Sequence, residues 1–150
     1  MRRIAFLAVT ILLAACGGDS THKQAETLLD EASALFERGA YDEALLTIDS
    51  LRKVYPNAID TRKKALKLYQ DVELKKAQLQ LAQADSLLQL VQHDLDYQQE
   101  KVDRDKAALR ATPDELTMLT RTRIRRDSLR TQCEVLGSKI RYIHKKQQKK

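Results

Sequence analysis

Two cysteines and three histidines are the residues of this chain best suited to covalent or metal chemistry. Cys16 follows Ala14 and Ala15 at the end of an apolar run from Ile4 to Leu13, behind the positive pair Arg2 and Arg3. That layout is an export leader with small residues before its cleavage point, and it is too short for a stable membrane-spanning helix, which needs roughly 20 apolar residues. Cys133 and His144 are eleven residues apart on one expected helix, about 16 Å by rise, so they cannot pair within one chain. His22, His93 and His144 lack another His or Cys at a spacing of three or four, so no metal-ligand set is legible. There is no Gly-rich phosphate loop and no G-x-S-x-G. The many carboxylates fall on solvated helix faces, where burial does not tune them for catalysis. Catalytic, metal and cofactor-binding residues are therefore not expected, and neither is an enzyme.

The run Leu13-Ala14-Ala15-Cys16 resembles the lipobox of bacterial lipoproteins. The resemblance implies removal of residues 1–15 as a signal peptide, lipidation of Cys16 and a mature chain that begins there. In that family the cysteine ends with three acyl chains. At ~0.8 kcal/mol per buried methylene, several chains hold a soluble domain stably on a membrane. Gly17 stands where aspartate marks inner-membrane retention in the enterobacterial scheme. The resemblance therefore favours the outer membrane, facing the periplasm, with surface display as an alternative. An ordinary secretory signal with an incidental Cys16 is the competing reading. Residues 16–23, opening Cys16-Gly17-Gly18-Asp19-Ser20, are expected to be a flexible tether.

The formal net charge of +6 is unevenly spread. Residues 16–58 carry 4 basic and 8 acidic side chains, 59–111 carry 10 and 9, and 112–150 carry 11 and 4. An export signal argues against nucleic acid as the partner of the basic third. Lipid headgroups, lipopolysaccharide phosphates or an acidic protein face are the available alternatives to a merely solubilising face. If lipid takes Cys16, Cys133 has no disulfide mate in its own chain and is expected as a buried small hydrophobe.

Few Gly, two Pro and no Trp in a Leu-, Ala-, Lys-, Gln- and Arg-rich chain point to long helices. Between Ala25 and Ala58 the run Ala32-x-x-Leu35-Phe36-x-x-Gly39-x-Tyr41-x-x-Ala44-Leu45-x-x-Ile48-x-x-Leu51-x-x-x-x-Pro56 patterns a helical pair. Gly39 permits the turn, Ala44 allows close approach, and Pro56 stops the second helix. The run resembles one tetratricopeptide repeat, with Glu31 departing from the usual large apolar residue. The resemblance implies that Leu29 and Phe36 look toward a peptide or partner helix; the alternative is that a neighbouring helix of the chain covers them. A 34-residue step from Gly39 and Tyr41 reaches Glu73 and Lys75, so no second repeat follows, and the helix from Ile59 is expected to cover the first.

From Leu74 the pattern becomes heptad. Leu74, Leu81, Leu88, Leu95, Val102 and Leu109 recur every seven residues, with Ala77, Ala84 and Val91 three later. Thr112-Pro113-Asp114-Glu115 is a capping-box start for a second helix whose seam runs Leu119, Thr122, Arg126, Leu129, Cys133, Leu136, Ile140, Ile143. Folding back at residue 112 sets Leu95 near Leu129, Val91 near Cys133, Leu88 near Leu136, Ala84 near Ile140 and Gln98 near Arg126. Asp105 opposite Leu119 breaks that register.

The expected fold is all-α: a tetratricopeptide-like helical pair over 24–58, packed on a long antiparallel coiled-coil hairpin. Its first helix spans 59–111, coiled from about 74, its second 112–146, and a basic tail covers 147–150. The expected function is a lipid-anchored, non-enzymatic envelope adaptor or scaffold. Its partners would be the membrane, through lipid on Cys16, and an unidentified envelope protein. The alternative is an oligomeric spacer that pairs copies through the leucine seam and ties the outer membrane to the cell wall through Lys150, similar to a small helical envelope lipoprotein joined to peptidoglycan.

Overall fold

The computed structural model describes residues 18–148, and side chains from Ser20 onward. The expected signal peptide 1–15, the lipidation site Cys16 and the last lysines, Lys149 and Lys150, lie outside the described residues. The described chain is all-α, with four helices: α1 (Gly18–Glu37), α2 (Tyr41–Val54), α3 (Ile59–Ala107) and α4 (Pro113–Gln148). The stretch expected as a tether is helical from Gly18 on, as the first turn and more of α1. Two compact units divide the chain inside α3, between Ala65 and Leu66.

In the first unit α1 stops where the sequence offers glycine. Gly39 has φ 80°, and its N–H donates to the Phe36 carbonyl at 3.0 Å while Ala40 N–H donates to the Leu35 carbonyl at 2.9 Å. That pair of bonds closes the last turn of the helix and satisfies two carbonyls that lack intrahelical partners. The core is built from Leu29 and Leu35 on α1, Ile48 and Leu51 on α2, and Thr61 at the start of α3. Ala25, Ala32, Ala44 and Ala65 are all at 0 % exposure, so small side chains lie in the most closely packed parts of the unit. Tyr55, just past α2, donates its hydroxyl to Gln24 Oε1 on α1 at 3.1 Å. The Thr61 hydroxyl is buried with no hydrogen-bond partner among the described residues. Glu31, the departure from the repeat pattern, is exposed.

In the second unit α3 and α4 pack along the expected seams. Ala77, Ala84 and Leu136 form one buried cluster with Leu81, Cys133 and Ile140 against it, and Leu95, Val102 and Leu119 form another. The 36 residues of α4 extend about 54 Å. The register differs from the expected one. Arg126 donates to Gln92 Oε1 rather than reaching Gln98, Leu136 packs with Ala77 and Ala84 rather than Leu88, and Leu119 packs with Val102 and Leu95 rather than facing Asp105.

The shift amounts to about one heptad, and its cause is local. The first long helix ends at Ala107, not 111, and the chain reverses around Ala108 and Leu109 rather than at 112. A heptad slip keeps every seam position facing a seam position, so the seven-residue spacing alone does not choose between registers; the polar seam residues are what differ between them. The shift removes the Asp105–Leu119 misfit. It also leaves the Gln98 side-chain oxygen buried without a hydrogen-bond partner among the described residues.

Candidate functional site

The residues marked by the sequence fall in different settings. Leu29 is only 9 % exposed and belongs to the core of the first unit, so in this structure the chain itself covers it. Phe36 is half-buried, its ring 5.9 Å from that of Tyr41 and tilted by 55°. Cys133 is a free thiol, partly buried beside Ala84 and Leu136 in the hairpin seam. His22 lies on the surface of α1, 3.8 Å from Glu26, while His93 and His144 are exposed on α3 and α4. Among the described residues no three His, Cys, Asp or Glu side chains gather as a metal-ligand set, and no helix is long and apolar enough to cross a membrane.

The hairpin turn concentrates the charge chemistry of the second unit. Arg110 N–H donates to the Asp105 carbonyl at 2.7 Å and Leu109 N–H to the Lys106 carbonyl at 3.0 Å, closing α3 with Leu109 at φ 56°. The capping box then forms in both directions: Thr112 N–H donates to Glu115 Oε2 at 2.9 Å, and Glu115 N–H donates to Thr112 Oγ1 at 3.3 Å. Lys101 on α3 pairs with Glu115 across the turn and with Asp105 on its own helix at 3.1 Å. The Lys101 ammonium, followed by the Thr112 amide and hydroxyl, holds the Glu115 carboxyl down to about 2. Glu115 and then Asp105 raise Lys101 above its usual value. A carboxylate held that low is a poor proton donor near neutral pH; the group clasps the two helices instead. Leu109 stands outside this clasp, 95 % exposed.

Further along the hairpin the cross-helix contacts are polar at the edges of the seam. Arg123 donates to Gln99 Oε1 at 2.8 Å, Lys139 pairs with Glu73, and Gln147 Nε2 donates to Asp71 Oδ1 at 2.8 Å. Near the far end from the turn, Leu66 and Tyr69 of α3 and Tyr142 and Ile143 of α4 line a groove of about 460 Å³. Lys139 and Lys146 stand at its edge, with the Lys146 ammonium 5.2 Å from the centre of the Tyr142 ring. Glu73 lines the same groove and pairs with Lys139, so the slot is an apolar one whose two cations are already engaged, Lys139 by a carboxylate and Lys146 by the Tyr142 ring. Sequence reasoning missed it, because Tyr69 and Tyr142 become neighbours only once the register is known. The chain matches no protein-family model, no curated protein and no solved structure.

Proposed function

We propose that the protein is a lipid-anchored, non-enzymatic lipoprotein of the bacterial envelope that serves as a protein–protein adaptor or scaffold. The observation that carries this reading is Cys16 at the end of a lipobox-like leader, ahead of a chain whose described helices present long surfaces. Covalent lipid on Cys16 would fix one end to a membrane, with the outer membrane favoured by Gly17. The hairpin turn is the favoured contact point: Leu109 combines a strained backbone with near-complete exposure, and strain of that kind gathers at binding sites. The rival reading, an oligomeric spacer joined through the leucine seam, has less support, since α4 of the same chain fills that seam.

Two measurements test the proposal. Cells fed labelled palmitate should label the wild-type chain and not Cys16→Ser; equal labelling would sink the anchor. A photocrosslinker at position 109 in intact cells should capture a discrete protein, and a crosslinker at exposed position 50 on α2 serves as the comparison. A Lys150-dependent peptidoglycan adduct would favour the spacer.

A further inference from the structure

We propose that the outward faces of α3 and α4 are the two halves of one self-association surface, the outer face of α3 in one copy receiving the outer face of α4 in another. On α3, the row opposite the seam reads Leu79, Gln83, Ser86, Leu90, His93, Tyr97, and all six are exposed. On α4 the corresponding row reads Ile124, Ser128, Thr131, Val135, Ser138, Tyr142, again all exposed, with Tyr142 at its end also edging the groove beside Leu66 and Tyr69. Both rows step by four, three, four, three and four residues, so each stays on one face of its helix. Both place an aliphatic residue first and fourth and a tyrosine sixth, with short or polar side chains between. Neither row contains an Asp, Glu, Lys or Arg, although the face turned away from a seam is where a two-helix coiled coil normally carries its charges. The large members are well out in solvent, from 44 % exposure at Leu79 to 65 % at Leu90.

The flanking charges choose the occupant. From 79 to 97, α3 contains Asp85, Asp94 and Asp96 and no basic residue. The matching stretch of α4, 124–142, contains Arg125, Arg126, Arg130, Lys139 and Arg141 against Asp127 and Glu134. Arg126 pairs with Asp127 at 2.7 Å and Lys139 pairs with Glu73 of α3, which leaves Arg125, Arg130 and Arg141 against Glu134, so the uncompensated charges of the two stretches are −3 and +2. Asp85 and Asp96 accept hydrogen bonds from the neutral amides of Gln89 and Gln92, which leaves their charge uncompensated by those partners. Two α3 faces repel each other, two α4 faces repel each other, and only the mixed pairing brings opposite charges to the edges of matching apolar rows. A second copy of this chain supplies both requirements at once. The contact is head-to-tail, so it extends or closes into a ring rather than stopping at a two-fold dimer. Each row is about 28 Å long, a single helix pair, which implies weak and concentration-dependent association. The surface is distinct from the leucine seam and does not depend on the envelope address of Cys16.

Light scattering on residues 17–150, which keep every described helix, tests this with two variants. Leu90→Lys puts a cation opposite the basic face, and Val135→Glu puts an anion opposite the acidic one. The wild-type mass should rise with concentration between about 10 and 300 μM, and association should weaken several-fold in about 0.5 M salt. Each variant alone should stay monomeric, while an equal mixture should form a one-to-one dimer, because each copy retains the face the other needs. Circular dichroism reports whether the helices persist; if either variant loses helicity, Leu79→Lys and Ile124→Glu replace the pair. A monomeric wild type throughout that range, association of either variant by itself, or a monomeric mixture would each overturn the proposal.

Discussion

The turns after α1 and α3 close with the same two backbone hydrogen bonds, but Gly39 occupies the left-handed position in one and Leu109 in the other. Glycine adopts that conformation without steric cost, whereas a side chain there costs about 1–2 kcal/mol. The first turn is therefore relaxed and the second is strained. What holds the second is its surroundings: Arg110 pairs with Asp105 at 3.7 Å, Thr112 and Glu115 cap α4, and Lys101 ties Glu115 back to α3. The same backbone geometry can thus follow from one residue's freedom or from the agreement of several contacts around a residue that resists it.

The two units contrast in their cores as well, and the largest expected effect tests that contrast. Ile48 has no exposure, whereas Leu136 sits in a seam between two helices at 8 %. Ile48→Ala should cost toward the upper end of about 2–5 kcal/mol and Leu136→Ala toward the lower end, since a two-helix seam can collapse around the gap. Chemical denaturation of each variant measures both, and equal losses would erase the distinction between a closed core and a seam.

Gly39→Ala is expected to destabilise by about 1 kcal/mol. A Cβ at Gly39 would meet only Tyr41 Oη, at 4.0 Å, so the loss isolates the backbone from steric crowding. The opposite sign is expected at the other turn. Leu109→Gly should stabilise by about 0.5 kcal/mol, as relief of strain outweighs the added freedom of the unfolded chain. A loss of stability in Leu109→Gly would mean that the leucine side chain makes a stabilising contact its exposure does not suggest.

The smallest effect is electrostatic and confined to the strained turn. Glu115 titrates lower in the folded chain than its usual value near 4.5, so its contribution is whole above that value and is lost as pH falls toward about 2. Lys101 is raised, so its share persists below its usual 10.5 and fades above it. Melting curves of wild type and Glu115→Gln should therefore separate at neutral pH and converge on acidification. Curves that stay parallel down to pH 2 would remove the clasp from the account of how Leu109 is held.

The elements themselves were largely legible in the sequence. Gly39 and Pro56 marked the ends of α1 and α2, Thr112 through Glu115 marked the start of α4, and heptad leucines marked the seam. The end of α3 was not legible, because the residue at its closing position is Leu109 rather than glycine, and Leu109 also continues the heptad. The same ambiguity hid the register, and with it the groove between Tyr69 and Tyr142. Leu29 shows the converse: a repeat-like position suggests a surface, but burial depends on which neighbouring segment arrives.

Local chemistry in the sequence by itself determined the all-α class, the capping box and the candidate lipid acceptor Cys16, since each depends on residues a few positions apart. Only the tertiary structure decided which heptad of α3 meets which heptad of α4, which carboxylate clasps Lys101, and whether Leu29 is covered. The physical reason is periodicity. The spacing of a repeating seam is met at every seven-residue offset, and the choice falls to the turn that must physically connect the two helices.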